Sequence, residues 1–205
     1  MSLRPPTGAL MSPSTARNRE PILYVLRPRL PASGLVLEIA AGAGEHAVYN
    51  AAALPDLQWR PTDADAEALA SIAAWRDHAG LPNLLPPLPL DAAAPEAWPV
   101  TRADAVVSIN MVHISPWSAT EGLMAGAGKV LPPGGLLFLY GPYLEADVET
   151  APSNLAFDEG LRRCNPAWGI RRLDAVAALA AAQGLALAER ITMPANNLSL
   201  IFRKT

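Results

Sequence analysis

VLEIAAGAGEHAVY, residues 36–49, decides how the rest of the chain is read. An apolar run that carries Glu38 gives way to Gly42 and Gly44, spaced for a tight turn, and then to a helical pattern. A strand–glycine loop–helix unit presents free backbone N–H groups at a helix N-terminus, and so suits a nucleotide-like ligand. Gly42, Gly44 and Ala47 satisfy the loose G-x-G-x-x-G/A spacing of dinucleotide sites, so the glycines alone do not choose the ligand.

Glu38 begins to choose. A carboxylate pointing into this loop repels a pyrophosphate but suits the ammonium of S-adenosylmethionine (SAM), through a charge-assisted hydrogen bond worth roughly 1.5–3 kcal/mol. The small residues Ala40, Gly42 and Gly44 leave room for a cofactor to approach the backbone. The plain alternative is a strand–turn–helix corner with a solvated glutamate. Asp63 lies at the end of the next strand, where a carboxylate accepts from both ribose hydroxyls of either NAD or SAM. Asp65 reads as the cap of the helix that follows. Asp91, after a third strand, is a candidate acceptor for the adenine amino group or else a turn cap before Ala92.

Outward from this unit, strands alternate with helices. Strands are expected over 35–40, 57–62, 103–110 and 136–140, with a short edge-like one in the proline-rich stretch 84–90. Helices are expected over 45–54, 65–78, 119–130, 154–163 and 173–183. Another is expected near the N-terminus, capped by Ser14 or Thr15, with Ile22, Leu23, Val25 and Leu26 inward and Pro28 at its end. The last two strands, 185–192 and 198–203, are joined by a loop too short for a parallel crossover and must pair antiparallel. The expected fold is α/β: a doubly wound, mostly parallel seven-stranded sheet with helices on both faces and a C-terminal antiparallel hairpin. A plain dinucleotide-binding domain does not need that hairpin. Residues 1–11 are expected to form a disordered or extended tail, and residues 12–205 a single domain.

Composition narrows the partners. At 205 residues, 51% hydrophobic and 17% charged, the chain has enough apolar surface for a substantial core. A net charge of −3 with no long basic cluster argues against nucleic acid. No apolar run reaches membrane-spanning length and no signal peptide is evident, so a cytoplasmic location is expected. One cysteine, Cys164, and three histidines at unrelated spacings predict no metal site. Oligomeric state is left open.

The turn after the fourth strand, Asn110-Met111-Val112-His113, falls at the sheet edge where open α/β folds bind ligands. Asn110 is placed near the reactive end of the cofactor. His113, with Trp117 nearby, is the candidate general base or substrate contact; the bland reading is a histidine bonded to loop backbone. His46 and His78 fall on expected helix surfaces and carry no assignment. Asn154, Asp158 and Arg162 share one helical face, which reads equally as a polar outer face with an Asp–Arg pair. Phe157 and Leu161 read as core, and Cys164 as a small buried hydrophobe.

The segments SPSTARNREPIL, LEIAAGAGEHAVYNA, WRPTDADAEALASIAAW, INMVHISPW, LYGPY, SNLAFDEGLR and NPAWGIRRL together resemble a small family of methyltransferase-like proteins. That family is catalogued as a domain of unknown function and includes human methyltransferase-like 26. The resemblance runs from about Ser12 to the C-terminus. It implies a class I SAM-dependent methyltransferase fold with SAM at Glu38, Gly42, Gly44, Asp63 and Asp91, but supplies no substrate. In that fold class, Arg17 and Asn18 of the N-terminal helix and Asn154 and Arg162 after the fifth strand fall where substrates are recognised. Trp117 and Tyr143 are placed with them. The expected activity is methyl transfer to a small molecule. The alternatives are a SAM- or protein-binding module without catalysis and an NAD-dependent oxidoreductase.

Overall fold

The computed structural model describes residues 5–205. Its elements run in the order α1 (Pro13–Leu26), β1 (Gly34–Ile39), α2 (Glu45–Ala53), β2 (Leu57–Asp63), α3 (Ala66–Ala79), β3 (Leu88–Pro89), β4 (Ala105–Ile109) and α4 (Trp117–Val130). They continue with β5 (Leu136–Gly141), β6 (Tyr143–Leu144), α5 (Pro152–Cys164), β7 (Arg171–Arg172), α6 (Leu173–Ala182), β8 (Leu185–Met193) and β9 (Asn197–Lys204). Seven strands form one sheet in the order β3-β2-β1-β4-β5-β9-β8; the first five are parallel, and β9 runs antiparallel between β5 and β8, so that β8 points the same way as the first five. The fold is the one expected. β6 and β7 make an additional two-stranded parallel patch that the sequence did not announce.

Alternation along the strands divides the core. Leu37, Ile39, Val106, Leu137, Leu139, Leu200 and Phe202 pack with α4 and α6 on one face. Val36, Trp59, Val107, Phe138, Tyr140 and Ile201 pack with α1, α2 and α3 on the other. Central strands buried on both faces can be apolar throughout, and β4 (AVVSI) is buried at every position. No helix among the described residues is long and apolar enough to cross a membrane.

Several local expectations change. α1 begins two or three residues earlier than expected: Ser12 is its N-cap, without a side-chain cap bond, and Ser12 Oγ pairs with Ser14 Oγ instead. Residues 1–4 of the expected tail lie outside the described residues. Its end is strapped down, since the Leu10 N–H donates to Ser71 Oγ and the Leu10 carbonyl accepts from Trp75 Nε1. The Ser12 N–H donates to Glu45 Oε2. His46 is not on a helix surface: α1 lies across α2 and buries it, with Asn50 one turn on. Neither His46 ring nitrogen has a partner, and burial, with Arg19 nearby, lowers its pKa to about 4. Phe157 is exposed where core was expected, and so is Cys164.

Candidate functional site

Connections from β1 lead to one side of the sheet and those from β4 to the other, so the C-terminal ends of these adjacent strands frame a switch point. Glu38 sits here on the α1–α3 face, 1% exposed, which excludes the solvated corner. Its Oε2 accepts from the Trp59 indole N–H at 2.5 Å. Burial pushes the carboxyl up to about 7, against the pull of that hydrogen bond, and the neighbouring Asp63 charge pushes the same way as burial.

The two glycines divide their work. Gly42 has φ +56°, and a Cβ there would meet nothing within 4 Å, so the loop is open on that side. Its N–H donates to Asp63 Oδ2 at 2.9 Å, and the Asp65 N–H donates to Asp63 Oδ1 at 3.0 Å. Asp63 thus ties the loops after β1 and β2 together and retains lone pairs for further donors. Gly44, also left-handed at φ +91°, faces helix α3: a Cβ would lie 2.9 Å from the Ile72 Cα. Its smallness serves packing against α3. Ala40 holds φ +56° without being glycine, a strained conformation of the kind that clusters at functional sites. Asp91 is exposed and its Oδ1 accepts the Ala93 N–H, so it caps a turn.

Beyond β4 lies a cavity of about 640 Å³. Ser14, Arg17 and Asn18 line it from α1, Asn110, His113 and Ile114 from the turn after β4, and Tyr140 and Pro142 from the end of β5. Ser153, Asn154 and Phe157 of α5 and Pro194, Ala195 and Asn197 of the β8–β9 turn complete it. Asn110 occupies a left-handed turn (φ +65°) and its N–H donates to the Tyr140 carbonyl. His113 is 3% exposed, and its ring stands edge-on to Phe157 at 5.6 Å. Burial, with the Arg171 charge, lowers its pKa to about 4, so it is the free base at neutral pH. Its carbonyl accepts the Gly169 N–H, while its ring nitrogens have no hydrogen-bond partner among the described residues. A Cβ at Gly141 would lie 3.0 Å from His113 Nδ1, so the strand end must be bare for the ring to sit there.

Arg17, Asn18, Asn110, His113 and Asn154 are therefore brought together as expected from sequence. Three others are not. Trp117 packs against the α4–α6 core under the Arg171 guanidinium. Tyr143 is buried in that same core with its hydroxyl unpartnered, and burial pushes its phenol up; it lines a smaller cavity of about 180 Å³. Arg162 pairs with Asp158 on the outside of α5, and Asp158 also accepts the Ile170 N–H. Missed from sequence were Phe157, Tyr140 and the turn Pro194–Asn197. The signal for the turn was its PANN composition: Ala195 and Asn196 both take positive φ. Asn154 Nδ2 donates to the Asn196 carbonyl and Asn196 Nδ2 to Ser153 Oγ, which docks α5 on that turn.

The fold is shared with solved methyltransferases. An O-methyltransferase family protein from Burkholderia thailandensis superposes with a TM-score of 0.80 at 15% identity, over 94% of this chain and 57% of its own. An O-methyltransferase family 2 protein from Planctomyces limnophilus DSM 3776, in complex with apigenin, gives 0.77 at 19%, over 94% and 60%. CalO1, a methyltransferase of calicheamicin biosynthesis in its SAH-bound form, gives 0.72 at 17%, over 94% and 55%. The chain spans less than two thirds of the length of each of these neighbours, and at these identities the likeness is one of fold. In sequence it matches, over residues 9–204, the family described as "Protein of unknown function (DUF938)", and to that family the chain belongs.

Proposed function

We propose that this protein is a SAM-dependent methyltransferase acting on a small hydroxylated molecule, and that its kinship extends to human methyltransferase-like 26. The observation that carries the reading is His113: a buried, neutral imidazole with unengaged ring nitrogens, facing a cavity at the switch point of a methyltransferase-type sheet. The residues of the adjoining loop fit the cofactor. The buried Glu38 carboxyl offers an anion for the methionyl ammonium, the open side of Gly42 leaves a cradle, and Asp63 keeps lone pairs for the ribose diol. Ala40 and Asn110 shape the two loop ends, and Asp91 retains one carboxylate oxygen for the adenine amino group.

When bound, SAM supplies an electrophilic methyl group on a sulfonium. The chain's own part is orientation and proton handling. Phe157 and Tyr140 wall the acceptor, which holds it where its oxygen can react. His113 takes the proton that this oxygen loses, a contribution of roughly 10²–10⁴-fold in rate for a positioned general base.

Calorimetric titration tests the cofactor assignment: S-adenosylhomocysteine is expected to bind, with NAD and NADP much weaker. Tighter binding of NAD would overturn it. Incubation of small-molecule extracts with methyl-labelled SAM then tests turnover, and the absence of any labelled product would reduce the protein to a binding module.

A further inference from the structure

The large cavity is lopsided in charge. Of the described residues that line it, Arg17 is the cation and none is an acid. The Arg17 guanidinium makes no hydrogen bond or ion pair with any described residue, unlike Arg29, Arg162 and Arg190, which are all paired. The N-terminus of α5 opens onto the same space through Ser153 and Asn154. That 13-residue helix has Ala151 as its N-cap, no side-chain cap bond and no acid in its first turn, so no side chain of its first turn offsets its positive end. The matching end of α1 is partly answered by Glu45, which accepts the Ser12 N–H. Glu145 and Glu149 line the smaller neighbouring cavity and neither lines the one that holds Arg17; Arg190 engages both oxygens of Glu145, at 2.6 and 2.9 Å.

A second observation points to the other end of a ligand. Asn18 lines the cavity and is only 9% exposed; its amide meets the Tyr140 hydroxyl, while its Oδ1 has no partner. A buried carbonyl oxygen left in this state costs free energy until a donor reaches it. The remaining wall is apolar and flat-sided: Tyr140, Phe157, Pro142 and Pro194.

Resting on the methyltransferase reading above, we infer that the acceptor is a small, flat hydroxy acid. Its carboxylate faces Arg17 and the N-terminus of α5, and its hydroxyl faces His113 and Asn18. Arg17 selects the substrate by charge and takes no part in the proton transfer.

A matched pair of probes, 4-hydroxybenzoate and the neutral 4-hydroxybenzamide, tests the inference by calorimetry, with and without S-adenosylhomocysteine. The acid is expected to bind roughly 10-fold tighter than the amide, through one charge-assisted contact, and the preference to shrink as salt is raised. Arg17→Gln should bring the ratio close to one, and Arg17→Lys should restore most of it, with melting temperature confirming that both variants fold. Equal binding of acid and amide, a ratio unaffected by Arg17→Gln, or no binding of either probe while S-adenosylhomocysteine binds normally would each overturn the hydroxy-acid inference and leave the methyltransferase reading standing. Preference for the acid in a protein that binds no S-adenosylhomocysteine would instead retain the anion site and overturn the methyltransferase reading.

Discussion

Glu38, Gly42 and Asp63 come from two neighbouring strands, and hydrogen bonds between adjacent loops lock them together. The cavity residues reach from Ser14 to Asn197 and meet only because α1, α5 and the β8–β9 turn are carried there by the sheet. The first region is a local device, complete once β1 and β2 pair. The second depends on long-range packing, and its chemistry sits in a ring that makes few bonds of its own. Damage to the local device should therefore show as lost affinity or stability, and damage to the assembled one as lost turnover.

The sharpest separation comes from His113→Ala. Turnover of the acceptor is expected to fall by roughly 10²–10⁴-fold while S-adenosylhomocysteine affinity is kept. Reduced thermal stability with unchanged turnover would assign His113 a structural part and break the contrast. The pH–rate profile adds a sign. With the imidazole pKa lowered to about 4, the base is already free at neutral pH, so the acid limb should break near there and not near the ordinary histidine value. The same shift bears on folding. His113 and His46 bind protons in the unfolded chain before they do in the native one, so stability is full above the unfolded pKa and declines as pH falls toward 4.

Next in size is a contrast inside the glycine loop. Gly44→Ala meets the Ile72 backbone at a positive φ and should cost about 2–4 kcal/mol of stability, read by denaturant titration. Gly42→Ala meets no neighbour and should cost only about 1–2 kcal/mol for its left-handed backbone, yet weaken S-adenosylhomocysteine by filling the open side. Equal stability losses would mean that both glycines serve packing.

Glu38→Gln should weaken S-adenosylhomocysteine by about 1.5–3 kcal/mol and adenosine far less, since adenosine lacks the amino-acid tail. Asp63→Asn should weaken both. Because the ligand-free Glu38 carboxyl sits near 7 and an ammonium favours its ionised form, affinity for S-adenosylhomocysteine should rise with pH through 7 and release a proton below it. Wild-type affinity that is flat across this range would show that Glu38 does not touch the tail. The smallest effect belongs to Arg162→Ala: the half-exposed pair with Asp158 is worth less than about 1 kcal/mol, and turnover should not change.

The same contrast explains what could be read from the sequence. Period-two burial, acidic strand ends and a short final loop are local signals, and they led to the sheet, its hairpin and the Glu38–Asp63 unit. Which helix lies over which is not a local signal. His46 and Asn50 look like a polar helix face until α1 covers them, and Phe157 looks like core until α5 turns it toward the cavity. Trp117 and Tyr143 lie close in sequence to His113 and Gly141 but pack into the opposite core, Trp117 because it opens α4 and Tyr143 because it begins the β6–β7 patch. The PANN turn reads as a connector, and only its left-handed residues mark it as a wall.

Arg171 holds the segment around His113 by an unusual choice of partners. Its guanidinium donates to the carbonyls of Val112, Ser115 and Ala167 and to no carboxylate among the described residues. Bonds to main-chain carbonyls do not titrate and are little weakened by mobile ions, whereas exposed pairs such as Arg29–Glu189 are. In concentrated salt or mild acid, the periphery held by ion pairs should loosen first. Amide hydrogens around residues 112–115 should stay protected from exchange, leaving a clasp whose strength is set by geometry and not by the surrounding solution.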